Sequence, residues 1–331
     1  NTTATRAQLA AIDQATTGAL SYSSITDTAN NLVNADGLGL SSYVTGSVAV
    51  TLNTAATLAQ LTAIDQATTG TLSYTSVMDT AATLAANVGG YVSGAVNVTV
   101  IEVAVGTEYN FGDIAADVEP SAVVTVQYSN SGLIHAGTNF TGVDKLYLAG
   151  PGVTSMTAAQ ANGLELIGGG TANISFSAAL TDQLASGLRG FTLGASGDLL
   201  DFRALHTAVT LDNTNEHVDT HFAVYSNDGA DIEGAVVAFT EVTAGTAAEI
   251  EANFVALDPY LQIGSKMVFV IADNDPNDDM NTADKLTKIW YWNDANTSGS
   301  VQEVELSLLG TLHGIGSMDL SAMVLANTRI I

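Results

Sequence analysis

The sequence predicts a mixed α/β fold, in which an N-terminal β-strand–helix repeat solenoid is followed by a β-rich C-terminal domain. Three observations lead to this prediction. An internal repeat fills residues 1–100, a looser alternation of strand and helix patterns covers 101–195, and strand-like segments dominate 196–331. Short repeats that cannot bury their own apolar face must stack on their neighbours, so the repeat indicates a solenoid. We therefore expect three segments with these bounds.

The repeat consists of two copies of about 50 residues. Its matched segments are QLAAIDQATTG (8–18) with QLTAIDQATTG (60–70), LSYSSITDTANNL (20–32) with LSYTSVMDTAATL (72–84), and YVTGSVAVTL (43–52) with YVSGAVNVTV (91–100). The first two pairs are 52 residues apart and the third pair is 48 residues apart. The first copy therefore carries an insertion of four residues, which we locate near Asp36.

Each copy of the repeat is predicted to form two β–α units. Leu58, Leu61 and Ile64 have helical spacing, and the glycine of the Thr-Gly pair at 69–70 is expected to stop that helix. The LSYTS segment alternates as a strand does. Asp79, like Asp27 in the first copy, is expected to cap the helical turn that follows it. The AIDQATTG motif is therefore interpreted as packing and capping, and not as a ligand motif.

Residues 101–195 are interpreted as a degenerate continuation or a cap of the repeat. VDKLYLAG at 143–150 predicts a strand, and MTAAQANGLELI at 156–167 predicts a helix at its start. LTDQLASGL at 180–188 has helical spacing. Terminal repeats are usually atypical because they present a polar outer face.

The composition restricts the partners. With 8 Lys+Arg against 34 Asp+Glu, the formal net charge is -26, which argues against nucleic acid and anionic membrane surfaces and favours cations. No apolar run is long enough for a transmembrane helix, so no membrane insertion is expected. Cysteine is absent, which excludes disulfides, thiol catalysis and Cys-based zinc sites. The chain opens on Asn1 without a signal peptide, and we expect it to be a piece of something longer.

A twelve-residue acidic loop at 294–305 matches the spacing of an EF-hand-type calcium loop. Oxygen ligands are expected at positions one, three, five, seven and twelve, with a glycine at position six for the turn. The expected calcium ligands are Asp294, Asn296, Ser298, Ser300 through its carbonyl, and Glu305. Because strand-like segments flank the loop at 289–292 and 304–312, we expect it on a β-hairpin. A polar hairpin turn without an ion is the alternative.

A second acidic loop precedes the first and gives a weaker match to the same template. Its expected calcium ligands are Asp273, Asp275, Asn277, Asp279 and Asp284. Position six is Asp278 where the template has glycine. Clustered carboxylates repel one another without a cation, but a solvated run of charges remains an equal alternative. With these loops, the C-terminal segment becomes a predicted calcium-binding domain.

From residue 197 onward the chain resembles the C-terminal regions of RTX-like proteins exported by type I secretion. The similarity lies in GDLLDF at 197–202, VFVIAD at 268–273 and the stretch at 289–314. The repeat at 1–100 is similar to Ala/Thr-rich repeats of very large bacterial surface proteins, including S-layer proteins and adhesins. The resemblance implies a secreted or cell-surface protein with an uncleaved C-terminal export signal, which folds when it meets external calcium. Tandem GGxGxDxLx nonapeptides are absent, so no standard β-roll is expected.

No catalytic constellation is visible, and we expect the chain not to be an enzyme. It has no Gly-x-Ser-x-Gly elbow, P-loop or dinucleotide-binding fingerprint. His217 and His221 are four residues apart, but a zincin needs glutamate directly after the first histidine, and Val218 stands there.

The sequence thus predicts an extracellular calcium-binding structural protein of the cell surface, such as an S-layer, filament or matrix component. Its expected partners are further copies of itself or neighbouring surface proteins, with surface polysaccharide as a further candidate. Two alternatives stay open: an adhesin or carbohydrate-binding segment, and the non-catalytic secretion tail of a secreted enzyme. Solenoid arrays offer extended surfaces, which favours the structural and adhesive functions.

Overall fold

A computed structural model describes most of the 331 residues. The described residues are 3–33, 39–177, 180, 183–194, 196–206, 222–225, 236–243, 246–254, 266–272, 285–294, 300–315 and 328–329. Within them the fold is mixed α/β, as the sequence predicts, and it contains parallel and mixed sheets. The chain forms two compact units. The first unit comprises Asn1–Ala104, Tyr109–Ser129 and Gly137–Tyr147, and the second unit comprises Val105–Glu108, Asn130–Ala136 and Leu148–Ile331.

The helices are short. They are α1 (Arg6–Ala15), α2 (Ala29–Leu32), α3 (Leu58–Ala67), α4 (Ala81–Ala86), α5 (Gly112–Ala115), α6 (Ala158–Ala161), α7 (Arg203–His206) and α8 (Ala247–Phe254), with a 3-10 helix at Glu303–Glu305. In the described ranges, no helix has the length and apolar character needed to cross a membrane.

The strands lie between and after these helices, singly or in runs of two to four. They are β1 (Ser24–Asp27), β2 (Ala49–Leu52), β3 (Leu72–Ser73), β4 (Ser76–Thr80), β5 (Asn97–Val103), β6 (Val124–Tyr128), β7 (Gly132–Leu133), β8 (Lys145–Leu148), β9 (Val153–Thr157), β10 (Glu165–Gly168), β11 (Thr171–Ser175), β12 (Leu184–Leu188), β13 (Leu199–Asp201), β14 (Phe222–Tyr225), β15 (Val236–Thr243), β16 (Lys266–Ala272), β17 (Leu286–Asn293), β18 (Leu306–His313) and β19 (Thr328–Arg329).

Threonine N-caps start the helices of the repeats. The hydroxyl of each cap accepts a hydrogen bond from the backbone N–H three residues later, which satisfies one of the free donors at the helix start. The caps are Thr5, Thr28, Thr57, Thr80 and, in the second unit, Thr157. A glutamine at the third helical position of α1, α3 and α6 returns a hydrogen bond to the cap backbone, which completes a capping box.

Asp27 and Asp79 do not cap the helices that follow them, so that prediction is wrong. Thr28 and Thr80 are the caps. Each of the two carboxylates instead accepts a hydrogen bond from the start of the preceding long helix. Asp27 Oδ2 accepts from the backbone N–H of Arg6 at 2.8 Å, and Asp79 Oδ2 accepts from that of Leu58 at 3.0 Å. Both aspartates are still strand residues, in β1 and β4, so their side chains reach across to a helix start 21 residues earlier.

Acid is expected to destabilise the first unit through Asp27. Burial alone would raise its pKa, but hydrogen bonds from the Asn31 side chain and from the backbone N–H groups of Arg6 and Thr28 outweigh burial, so the pKa of Asp27 lies below its ordinary value. Such a carboxyl contributes stability above its unfolded pKa of about 3.9, and this stability is lost as the pH falls through the lower folded pKa.

We therefore expect Asp27→Asn to be less stable than the wild type at neutral pH and to lose less stability on acidification. Urea unfolding at a series of pH values between about 2 and 7 measures both effects. The same pH dependence in the two proteins would contradict the contribution of Asp27.

Parallel strands pair in matching register in the two copies of the repeat. Strand β1 lies beside β2 with Ser24 opposite Ala49, and one copy later β4 lies beside β5 with Ser76 opposite Asn97. On its other side β2 pairs with β3. In the same way β5 pairs with β6, and β8 lies beside β6. Apolar side chains of these strands alternate into the core. The fully or almost fully buried ones are Ile25, Val50, Val77, Val98 and Val100. Successive β–α units are thus joined strand to strand.

The second unit contains a parallel sheet and a mixed sheet. The parallel sheet has the order β19-β13-β11-β9-β7, and the six-stranded mixed sheet has the order β12-β18-β17-β16-β15-β14. The helix predicted at 180–188 is wrong, because Leu184–Leu188 is a strand that pairs with β18 in parallel. Gly187 has a φ of 78° there, which a right-handed helix does not allow. The predicted segment bounds at 100 and 195 stay predictions.

Candidate metal site

The predicted calcium loop connects two antiparallel strands. In β17 and β18, Trp292 lies opposite Leu306 and Trp290 lies opposite Leu308, so the loop spans the end of a β-hairpin. The hairpin is the context that the sequence predicts for this loop. Of the expected ligands, Asp294, Ser300 and Glu305 are in the structure, whereas Asn296 and Ser298 lie outside the described residues.

Both carboxylates that are predicted to bind calcium in this loop are buried. Asp294, which directly follows β17, has 3% of its surface exposed, and Glu305, which directly precedes β18, has 8% exposed. The 3-10 turn Glu303–Glu305 orients the second carboxylate, and the backbone N–H of Glu305 donates to the carbonyl of Gln302 at 3.0 Å. The hairpin thus brings a carboxylate to each end of the loop and removes both from bulk water. Burying a carboxylate is costly unless hydrogen bonds or a cation compensate for it.

Trp292 connects Glu305 to the core. Its indole Nε1–H donates to Glu305 Oε2 at 3.3 Å, and its ring stacks on Phe269 with centroids 5.9 Å apart. Trp292 is fully buried in a cluster that also contains Ile250 of α8 and Val301 of the loop. The base of the hairpin is therefore held by packing, and the position of Glu305 depends on the strand beside it.

The residues at this hairpin fit a hard divalent cation in their chemistry. Asp294 and Glu305 supply carboxylate oxygens. Ser300, which lies between them in the sequence, is half-buried. Calcium takes such oxygens, six to eight in number, from carboxylates, carbonyls and water. Within the part of the chain that the structure describes, no group of three or more His, Asp or Glu side chains is arranged to hold a metal ion. A complete ligand set would need oxygens from the rest of the loop.

The weaker acidic loop is not part of the described structure. Its five predicted ligands, Asp273, Asp275, Asn277, Asp279 and Asp284, all lie outside the described residues. It stays a prediction.

Asp198, from the GDLLDF segment, binds backbone N–H groups. It has 2% of its surface exposed, and its two carboxylate oxygens accept from the backbone N–H groups of Ala172 and Thr192, both at 2.6 Å. Burial raises the pKa of Asp198, although these hydrogen bonds oppose the rise. Asp198 therefore joins neighbouring strands and turns of the second unit.

A tyrosine pair beside a carboxylate recurs in both copies of the repeat, and sequence reasoning missed it. The Tyr22 hydroxyl donates to the carbonyl of Tyr43 at 2.7 Å, and the Tyr43 hydroxyl donates to Asp13 at 3.3 Å. The second copy has the same contacts with Tyr74, Tyr91 and Asp65, at 3.1 and 3.4 Å. Burial raises the pKa of Tyr74, and the neighbouring Tyr91 and Asp65 raise it further. Recurrence of all three residue types at matched positions was the available signal.

Comparison with known proteins gives no relative: no family, no curated protein and no solved structure matches this chain.

Proposed function

We propose that this chain is a secreted, calcium-binding structural protein of the cell surface, of the S-layer, filament or matrix kind, which assembles through its repeats. Its partners in this proposal are further copies of the chain or neighbouring surface proteins. The proposal gives it no catalytic role. The observation that carries the proposal is the set of identical contacts that join successive β–α units in the two copies of the repeat.

These contacts recur at equivalent positions. Asp27 and Asp79 each bind the first N–H of the preceding long helix, and Tyr22 and Tyr74 each donate to the carbonyl of the next tyrosine. Contacts that repeat with the sequence hold each unit to its neighbour, which supports a solenoid with units stacked in chain order. Such an array offers an extended surface, as a structural component requires.

The acidic charge and the hairpin support a role for calcium. A net charge of -26 makes copies of the chain repel one another until cations are bound. Asp294 and Glu305 supply two buried carboxylates at the ends of one loop, and a bound ion would join these ends. The resemblance to RTX-like C-terminal regions supports secretion and a location outside the cell.

Adhesion to surface polysaccharide is a second candidate function, and the tyrosine pairs favour it. Tyr22 and Tyr43 are half-buried and lie edge to face, with ring centroids 6.4 Å apart, beside the exposed Asp13. Aromatic faces with a nearby polar group are suited to stacking and hydrogen bonding with sugars.

Calcium is expected to raise the melting temperature of the second unit and to slow its proteolysis, and EGTA is expected to reverse both effects. A ligand that binds only the folded state stabilises it by about 2.7 kcal/mol at 100 times its Kd. Glu305→Gln should abolish most of this gain. Glu303→Gln is the matched control, since Glu303 lies in the same loop but is exposed. Differential scanning calorimetry in calcium and in EGTA gives the measurement.

Equal melting of the wild type in calcium and in EGTA would overturn the calcium part of the proposal. Electron microscopy of the same samples tests assembly. Ordered polymers that need calcium support the structural function, whereas monomers that bind polysaccharide with or without calcium support adhesion.

A further inference from the structure

Helices α1 and α3 have nearly the same sequence but differ in burial. Leu9 and its equivalent Leu61 are both buried, with 2% and 0% exposed. Ile12 has 49% of its surface exposed, whereas its equivalent Ile64 has 0% exposed. Since the two helix sequences are nearly the same, we attribute the difference to what covers each helix.

The chain itself shows what covers α3. Gln60 Nε2 donates to Asn30 Oδ1 at 2.7 Å and to the carbonyl of Val33 at 3.2 Å. The Thr68 hydroxyl donates to the carbonyl of Val48 at 2.5 Å, and it also contacts the carbonyl of Gly46. All four acceptors belong to the β–α unit that precedes α3, the stretch from α2 to β2.

The side chains at α1 that match Gln60 and Thr68 are exposed to solvent. Gln8 and Thr16, which match Gln60 and Thr68, are both exposed. The LSY segment behaves in the same way. Leu72 and Ser73 form β3 because they pair with β2, whereas Leu20 and Ser21 have the same sequence and are not in a strand. We define the open face as Gln8, Ile12, Thr16 and the backbone of Leu20 and Ser21.

We propose that the open face is a docking site for a further unit of the same repeat, equivalent to residues 28–52. The strand of that unit would pair in parallel with Leu20 and Ser21, and its carbonyls would accept from Thr16. Its helical turn would supply the amide oxygen for Gln8 and cover Ile12. This inference rests on the stacking of repeats in the proposed function, and it names the surface through which stacking extends.

Gly18 provides a test of the docked geometry. Its equivalent Gly70 lies so close to the preceding unit that an added Cβ would be 2.3 Å from the carbonyl oxygen of Val48. A Cβ on Gly18 meets only the Thr16 hydroxyl, at 3.4 Å. Gly18→Ala is therefore tolerated in the chain alone, but it would clash with a unit docked as in the second copy.

The experiment adds a second copy of residues 1–52 directly ahead of Asn1, where it joins in the repeat register because Asn53-Thr54 matches Asn1-Thr2. Hydrogen exchange, measured in EGTA, follows the amides of 9–16 in the original α1. We expect their exchange to slow by at least about tenfold, toward the rates of 61–68 in α3. In the extended protein, Gly18→Ala at the original position, not in the added copy, should remove this protection. In the protein without the added copy, the same substitution should leave the exchange at 9–16 unchanged.

Unchanged exchange at 9–16 in the extended protein, or equal protection with Gly18→Ala, would overturn the docking site. Because calcium is absent, this result is independent of the metal hypothesis. Strong destabilisation by Gly70→Ala without protection of α1 would mean that stacking holds within the chain and that only the docking inference fails.

Discussion

Gly70→Ala is expected to destabilise the first unit by about 3 kcal/mol, whereas Gly18→Ala should change its stability by no more than about 1 kcal/mol. The two glycines occupy equivalent positions in the same Ala-Thr-Thr-Gly sequence, at the end of α3 and of α1. Intrinsic propensity is therefore the same at both sites. Only the surroundings differ.

The expected loss at Gly70 has a steric cause. An added Cβ would lie 2.3 Å from the carbonyl oxygen, 2.5 Å from the carbonyl carbon of Val48 and 2.7 Å from the amide nitrogen of Ala49. These are backbone atoms of Val48, which directly precedes β2, and of Ala49, its first residue. Because β2 pairs with a strand on each side, they cannot move without disturbing the sheet. Neither glycine has a positive φ, so neither substitution places an alanine in the left-handed region.

Differential scanning calorimetry of the two variants measures the difference, and hydrogen exchange at 61–68 locates it in the first unit. A Gly70→Ala protein that melts at the same temperature as the wild type would contradict the close approach of Gly70 to the backbone of Val48. The control also guards against a general effect of alanine at the helix end, because Gly18→Ala carries that effect alone.

The glycines illustrate why part of the fold was predictable and part was not. Local patterns predict α3 and its end near Ala67, and the strands on either side of the loop at 294–305. The prediction that Gly70 stops the helix is wrong. Thr68 is the C-cap, in extended backbone, and Gly70 is required by a neighbour 22 residues earlier. A sequence window around the helix contains no information on that neighbour.

Asp27 and Asp79 illustrate the same limit. The sequence correctly placed a helical turn after each aspartate, but the carboxylate binds a helix start 21 residues away. The choice between Asp and the following Thr as the cap depends on where the strand ends, and local propensity does not fix that residue. Recurrence at the repeat interval carries more information, since Asp13, Tyr22 and Tyr43 recur together.

The position of the candidate site was predictable from the sequence, but the contacts that hold its carboxylates were not. The spacing from Asp294 to Glu305 and the flanking apolar runs predicted a loop on a hairpin, because both are local properties. The hydrogen bond from Trp292 to Glu305 depends on strand register across the hairpin. Register is set by the whole sheet and the core beneath it.

The largest loss is expected for Trp292→Ala, at about 4 kcal/mol, because the substitution empties the centre of the core beneath the hairpin. Trp292 is fully buried, and its ring stacks on Phe269. Since Trp292 also donates to Glu305, the loss should include the calcium-dependent gain in stability. Denaturant unfolding in calcium and in EGTA measures both contributions.

Phenylalanine variants separate packing from the hydrogen bond. Trp290 lies on the same strand and in the same core, and among the described residues its buried indole N–H has no hydrogen-bond partner. Trp290→Phe and Trp292→Phe therefore remove similar volumes, but only the second removes a donor from Glu305. We expect Trp292→Phe to be the less stable by about 1–2 kcal/mol. Each variant keeps one of the two tryptophans of the chain as a fluorescent reporter. Equal losses would mean that the indole contact does not stabilise the buried carboxylate, and Glu305 would then have to be held by the loop itself.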